Sequence, residues 1–514
     1  MNKEKKILAG LMAAAVVLPA ASGTVSAKAY HADSDTGIQV LDYIENEHRQ
    51  ARKNQLTADQ KKLLADAKEM EKHLRHPLDK TKPSPVAFEG DDLTYDERDG
   101  SFIAKGKVDI LQLDAHRFQG ENVTGNVKTQ DIDIPEKAHV MQMTPGQMKI
   151  TLDGYQAHYN YGKKTGTMTD AKGKADAHYI TAKRFEFYPD HMVAYDATET
   201  ECSAKKPDYH FAAKKITIYP QKRMMMDHVK LYLKGTPIFS RKHYEKDISP
   251  GAAGRENFLP HIGYNEDDKL YLRWDLEFPL QKNLSADANV LVTAADGWRS
   301  NYDVTFDNGY LRTGVAYGHF EDSDNIWLKK EPSYFLNYGD HLAGSHFTYH
   351  VGGEYGRWYE RGIHSNHGEY GVGLGYDPIK FHRYTLYLDT GYTVTRESYD
   401  DSRVSGMNGA AVLTKDFDDR WAAYTGYHYD KKNAKNTLFH YENDDDFSKK
   451  LQSGFSYRVD DRNRLAVGTK YDLDHSKWKN IDYYWFHEMH CSEVILRYKS
   501  MTNRWSVRWQ FTPW

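Results

Sequence analysis

The 514-residue chain holds only two cysteines, and beyond its first residues it has no apolar run long enough for a spanning helix. Basic residues are not in excess, with 69 Lys and Arg against 73 Asp and Glu. That balance argues against the basic face a nucleic-acid binder wants, so no nucleic-acid partner is expected. No G-x-x-x-x-G-K-[ST] segment occurs, so the chain has no evident means of consuming ATP. No Ser/His pair suggests a hydrolase, so no enzymatic activity and no cofactor are expected. The mean hydropathy of −0.79 is that of a water-soluble chain.

Two features resist the soluble reading. The start is basic (Lys3, Lys5, Lys6) and runs into "ILAGLMAAAVVLPAA", then "VSA", the pattern of a signal peptide over residues 1–27. Its removal takes three lysines and one glutamate, and the net charge falls from −4 to −6. The second feature is 13% aromatic residues, with 38 tyrosines. High tyrosine at low hydropathy suits a transmembrane β-barrel, in which only alternate residues meet lipid. In an exported chain Cys202 and Cys491 favour one disulfide over two free, buried thiols.

Residues 28–84 have a helical pattern. Thr57 and Gln60 have capping-box spacing, and Leu63, Ala67, Met70 and Leu74 form one narrow apolar stripe. The expectation is a solvated spacer, the alternative being a stripe that docks on a partner, with a segment around Ile38–Ile44 pairing with it as a hairpin. "RHPLDKTKPSPV" then forms a linker.

From 85 to 240 the pattern changes to short strands and polar turns. "AKRFEFYP" (Ala182–Pro189) and "AKKITIYP" (Ala213–Pro220) are near copies. Phe185 and Phe187, like Ile216 and Ile218, share one face of their strands. Val108 and Ile110 repeat the alternation upstream. Units that each bury one apolar row must stack to share a core.

After a turn-rich connector at 241–257, residues 258–514 alternate strictly. In "LYLRWDLEFP", Leu270, Leu272, Trp274, Leu276 and Phe278 oppose Tyr271, Arg273, Asp275 and Glu277. Segments of about ten residues with one apolar and one charged face cross a bilayer as barrel strands. Their number points to 14–16 strands. The expected fold is therefore all-β, a jellyroll followed by a transmembrane antiparallel barrel.

The succession "TECSAKKPDYHFAAKKITIYP", "GTPIFSRKHY", "GRENFLPHIGYN" and "WFHEMHCSEVILRYK" resembles the organic-solvent-tolerance (OstA, LptD) family of lipopolysaccharide-assembly outer-membrane proteins. The resemblance covers most of residues 85–514. It departs from the family in its short barrel, its two cysteines where many members have four, and the segment at 28–84. It implies a periplasmic jellyroll whose apolar groove carries lipopolysaccharide, here lined by Val108, Ile110, Phe185, Phe187, Ile216 and Ile218; the alternative for the same residues is that they fill a closed core. It implies a Cys202–Cys491 bridge from jellyroll to barrel. It also implies a lateral gate between the first and last barrel strands, with Pro260 and Pro279 weakening a seam against Trp505, Val507, Trp509 and Phe511. The implied partners are lipopolysaccharide, a periplasmic jellyroll bridge protein and a plug lipoprotein in the barrel. Localisation is then the outer membrane, with the N-terminal domain in the periplasm.

Two rival functions are a diffusion porin with an accessory domain and a barrel phospholipase. "HEMH" (His487–His490) lacks the spacing of a helical zinc motif, so no metal site is expected there. "GVGLGY" (Gly371–Tyr376) suggests strand glycines that permit bending. "ENDDDF" suggests a solvated loop.

Overall fold

The computed structural model describes residues 36–53, 55–73, 85–144, 148–248, 260–281, 283–321, 326–432, 439 and 448–511. The expected signal peptide, the proline linker, most of the connector and the "ENDDDF" loop lie outside these residues.

Val86 to Asp247 form a twelve-stranded antiparallel sheet in which each strand from Ser101 onward pairs with its neighbour in sequence. The last strand, Thr236–Asp247, runs past the boundary expected at 240. Most strands bend near the middle. Lys107 (φ 48°), Asp196 (φ 46°) and His228 (φ 53°) adopt left-handed backbone conformations, and the ladder skips a position at each. Such bulges kink a strand and sharpen its twist. Aligned across the sheet, they fold it over on itself. The repeated Ala-Lys of the two octapeptides falls at this corner: Lys183 and Lys214 are passed over by the ladder, while Ala182 and Ala213 are buried. The result is a jellyroll-like roll built from a folded meander, not from two Greek keys. Its interior is apolar, with Val108, Ile110, Phe185, Ile216 and Ile218 at most 1% exposed. Burying each such side chain stabilises the roll by roughly 1.5–3 kcal/mol.

Residues His261 to Phe511 form a closed antiparallel barrel of sixteen strands, from His261–Asn265 to Arg504–Phe511. A two-residue strand, Gly297–Trp298, only extends one hairpin. Outward positions carry exposed apolar side chains such as Leu270, Val304, Tyr334, Val372 and Phe455. Inward positions include buried Arg458, Arg464, Asp472, Asp482 and Arg497. Closure satisfies every strand edge, as a hydrocarbon environment requires. No described helix is long and apolar enough to cross a membrane. The barrel is of the outer-membrane type, apolar outside and polar within.

Gly373 sits in the strand Ile363–Phe381, where a Cβ would collide with the His350 ring. The glycine there admits a cross-strand neighbour, which is more specific than the bending expected.

Two helices precede the sheet, α1 (Gln39–Lys53) and α2 (Ala58–Lys72). The capping box forms, with the Gln60 backbone N–H donating to Thr57 Oγ1 and the Thr57 backbone N–H donating to Gln60 Oε1. The expected spacer and helical hairpin do not form. Leu63 and Ala67 of α2 pack on Leu111, Ala115, Met141 and Met143 of the roll, while Arg117 pairs with Asp66. α1 goes elsewhere, into the barrel. Each helix satisfies its apolar face against a different β surface, so neither needs the other.

Candidate functional site: the junction of roll and barrel

Cys202 lies in the loop after the strand Met192–Thr200, and Cys491 lies in the turn before the strand Ser492–Lys499. The two are bridged across 289 residues, with Cα atoms 5.1 Å apart. The bond pins the rim of the roll to the barrel mouth beside the last two strands.

The apolar interior of the roll does not stop at this rim. Tyr209 meets Phe511 edge to face, with ring centroids 6.2 Å apart, and Phe511 meets Trp509 at 4.6 Å. Phe511 and Cys491 belong to the same buried cluster as Phe185, Ile216 and Ile218, and Trp509 packs against it. Alternation then sets the course along the last strand. Trp505, Val507, Trp509 and Phe511 share one face. Phe511 is fully buried beneath the roll, Trp509 is half-buried, and Val507 and Trp505 are exposed on the outer wall. One apolar face thus runs from the roll's interior to the barrel's lipid-facing surface.

The same strand forms the weakest ladder of the barrel. It pairs with the first strand at three positions only: Ile262↔Trp509, Gly263↔Arg508 and Tyr264↔Val507. On its other side it pairs at eight positions, from Ser492↔Phe511 to Lys499↔Arg504. The first strand is only five residues long, which bounds the ladder on that side. At the end far from the roll, Arg504 donates to Asp267 at 2.9 Å across this seam. On the near side the roll touches the second barrel strand as well, where the Arg241 guanidinium sits 5.1 Å from the Phe278 ring. The roll therefore abuts the barrel on both sides of the seam.

The expected site residues are placed as follows. Val108, Ile110, Phe185, Ile216 and Ile218 lie inside the roll, and Phe187 is half-buried and stacked on Phe185 at 6.2 Å. Pro260 immediately precedes the first paired residue, so it bounds that strand instead of interrupting it. Pro279 lies opposite Ser285, where the register slips before Gln281. Of the four last-strand residues, Phe511 and Trp509 meet the roll's core, and Trp505 and Val507 do not.

Sequence reasoning missed Tyr209, Arg241 and Phe278, whose alternation is that of any strand. It also missed a buried polar cluster at the rim. His178, Glu199 and Glu201 approach within 4.8 Å of one another, with His178 Nδ1 2.6 Å from Glu199 Oε1. The Lys246 ammonium pairs with Glu201. Burial alone would depress its pKa, but Glu201 and Glu199 outweigh burial and hold it above the usual lysine value. The cluster thus contains its own cation. His487 lies on a strand with Nδ1 2.9 Å from Asn463 Oδ1, and His490 occupies a turn; neither joins this group.

The lumen holds α1. Its Leu41 and Ile44, with Ile38 just ahead of the helix, are buried against Ala422, Tyr424, Ala466, Tyr484, Phe486 and Ile495 of the inner wall. Its charges match the wall's: Asp42 pairs with Arg464, Glu45 with Arg458, and Arg49 with Glu488 and Glu493. His48 Nε2 lies 2.9 Å from Asp416.

No protein-family model matches the chain, and no curated protein matches it. Among solved structures, a mutant Rh. blastica porin covers 49% of this chain and 96% of its own, at 8% identity and a TM-score of 0.29. OccK11 (OpdR) of Pseudomonas aeruginosa gives 49% and 93%, 10% identity and 0.27. A loop-deleted OmpT, an outer-membrane protein of Vibrio cholerae, gives 49% and 95%, 9% identity and 0.24.

Proposed function

We propose that this chain is an outer-membrane translocon of the LptD type. It receives lipopolysaccharide in the apolar interior of its periplasmic roll and releases it sideways, through the seam between the first and last barrel strands. The observation that carries this reading is the unbroken apolar face from Phe185 and Ile218 through Tyr209 and Phe511 to Trp509 and Val507, ending at the three-position seam.

The physical need is severe. Each methylene exposed to water costs about 0.8 kcal/mol. A chain of a dozen carbons therefore costs on the order of 10 kcal/mol to drag through water. Lipid tails must stay covered until they reach hydrocarbon, and a lateral exit delivers them there without a wet step. No group in the chain is asked to do chemistry, and energy must come from elsewhere. The open strand edges of the roll can extend it by pairing with a similar periplasmic partner. The rival reading, a diffusion porin, gives no role to an apolar face that runs from the roll's core to the seam.

Photo-crosslinking residues at Phe187 and Ile218 test the reading in cells. Capture of lipopolysaccharide at both supports it. Capture at neither, in a chain correctly assembled in the membrane, sinks it.

A further inference from the structure

A wide barrel wall normally encloses water, and a polar lumen is what a porin needs. Here part of the inner wall is apolar. Ala422, Ala466, Tyr484, Phe486 and Ile495 face inward, and an inward apolar patch costs free energy unless something covers it. α1 and the residue before it cover the patch with Ile38, Leu41 and Ile44, of which the first two are fully buried.

Three further observations fix the fit. The Tyr424 hydroxyl donates to the Thr36 carbonyl at 2.6 Å, just ahead of the helix. Gly468 clears space for the same residue, since a Cβ there would lie 2.4 Å from Thr36 Oγ1. Charges on the two surfaces are complementary: helix carboxylates Asp42 and Glu45 meet wall guanidiniums, and the helix guanidinium Arg49 meets wall carboxylates. These pairs are largely buried, so salt screens them weakly. Reading along the helix, its start lies deep, beside mid-strand Gly468, and its end lies at the roll-side mouth, beside Asp416 and Glu488. Phe439, from the region between the strands Trp421–Lys432 and Lys449–Arg458, is buried against Leu328 and Trp358.

We propose that α1 is a resident plug. The chain's own N-terminal segment seals the roll-side half of the lumen, the task otherwise left to a separate plug lipoprotein. This rests on the translocon reading only for its purpose; the seal itself follows from the docking. A translocon that opens sideways gains from a closed lumen, because lipid leaves through the wall while solutes are held back.

Purified full-length protein in planar bilayers tests it, with heat-modifiable gel mobility as the check on barrel folding. The native chain should show no steady open level. Deletion of residues 36–53 should give steady, ohmic steps. So should Asp42→Asn/Glu45→Gln/Arg49→Gln and, independently, Gly468→Val, which crowds Thr36 without altering a charge. Asp42→Arg should open the pore, and adding Arg464→Asp should close it again. If the deletion does not fold, the point variants decide. A native chain with steady conductance overturns the plug and favours the porin. Folded variants that all stay closed overturn the plug and leave the translocon standing. Open variants combined with no lipid capture in the roll support the plug and sink the translocon.

Discussion

Locking the seam separates lateral release from every route through the lumen. Tyr264 and Val507 face each other across the seam and are both outward and exposed. Opposed antiparallel residues have Cα atoms about 4.5–5.5 Å apart, within the range a disulfide spans. The double variant Tyr264→Cys/Val507→Cys is therefore expected to close without distorting the wall. The native seam has three paired positions against eight in the adjoining ladder. At about 1 kcal/mol net per hydrogen bond, and counting one bond per position, the seam is weaker by roughly 5 kcal/mol. At about 1.4 kcal/mol per tenfold, it opens more than a thousandfold more often than its neighbour. A covalent bond removes that opening. The assay is surface lipopolysaccharide in cells that depend on this chain, with and without reductant. A matching lock away from the seam, Val315→Cys/Tyr334→Cys, joins another outward pair and reports any effect of the reductant on Cys202–Cys491. Delivery should stop in the seam lock, return on reduction, and continue in the control. Native delivery through a fully oxidised seam refutes lateral release.

Leu63→Ala should undock α2 from the roll, since the side chain is fully buried and such truncations cost about 2–5 kcal/mol; faster amide exchange across 58–72 with unchanged exchange in the barrel is the expected signature. Asp114 is half-buried, and burial alone would raise its carboxyl, but its contacts with His116 and Lys164 outweigh burial and hold it at about 2. Its depressed pKa supports folding above the ordinary carboxylate value, and that support is lost as pH falls through the range from about 4 to about 2. Asp114→Asn should therefore lower the roll's stability at pH 7 and flatten its acid dependence in denaturant titrations. Cys202→Ser or Cys491→Ser should each shift non-reducing gel mobility to that of the reduced native chain.

The barrel was legible in the sequence because period-two alternation is imposed directly by lipid outside and water inside. "LYLRWDLEFP" carries that pattern without interruption, and the range of 14–16 strands followed from it; the disulfide was legible on separate grounds, an even cysteine pair in an exported chain. The folding of the roll was not legible, because its corners use Lys107, Asp196 and His228 in left-handed conformations that a reader expects of glycine. α1 was hidden for a different reason. Asp42, Glu45 and Arg49 look like the solvated side of an amphipathic helix, and their partners lie more than 400 residues away, on strands whose charges already had an explanation as lumen lining. Charge complementarity between distant segments leaves no local periodicity. Phe511 shows the same gap in milder form. Alternation placed it on the outer face, and only the roll's position showed that this stretch of outer wall is covered.

The central claim is that lipid passes from the roll directly into the wall. A photo-crosslinking residue at Trp509, where the roll's interior meets the seam, tests it most directly, with Ser333 on the buried inner wall as the comparison site. The account predicts lipopolysaccharide adducts at Trp509 and none at Ser333. Adducts at Ser333 with none at Trp509 would contradict it.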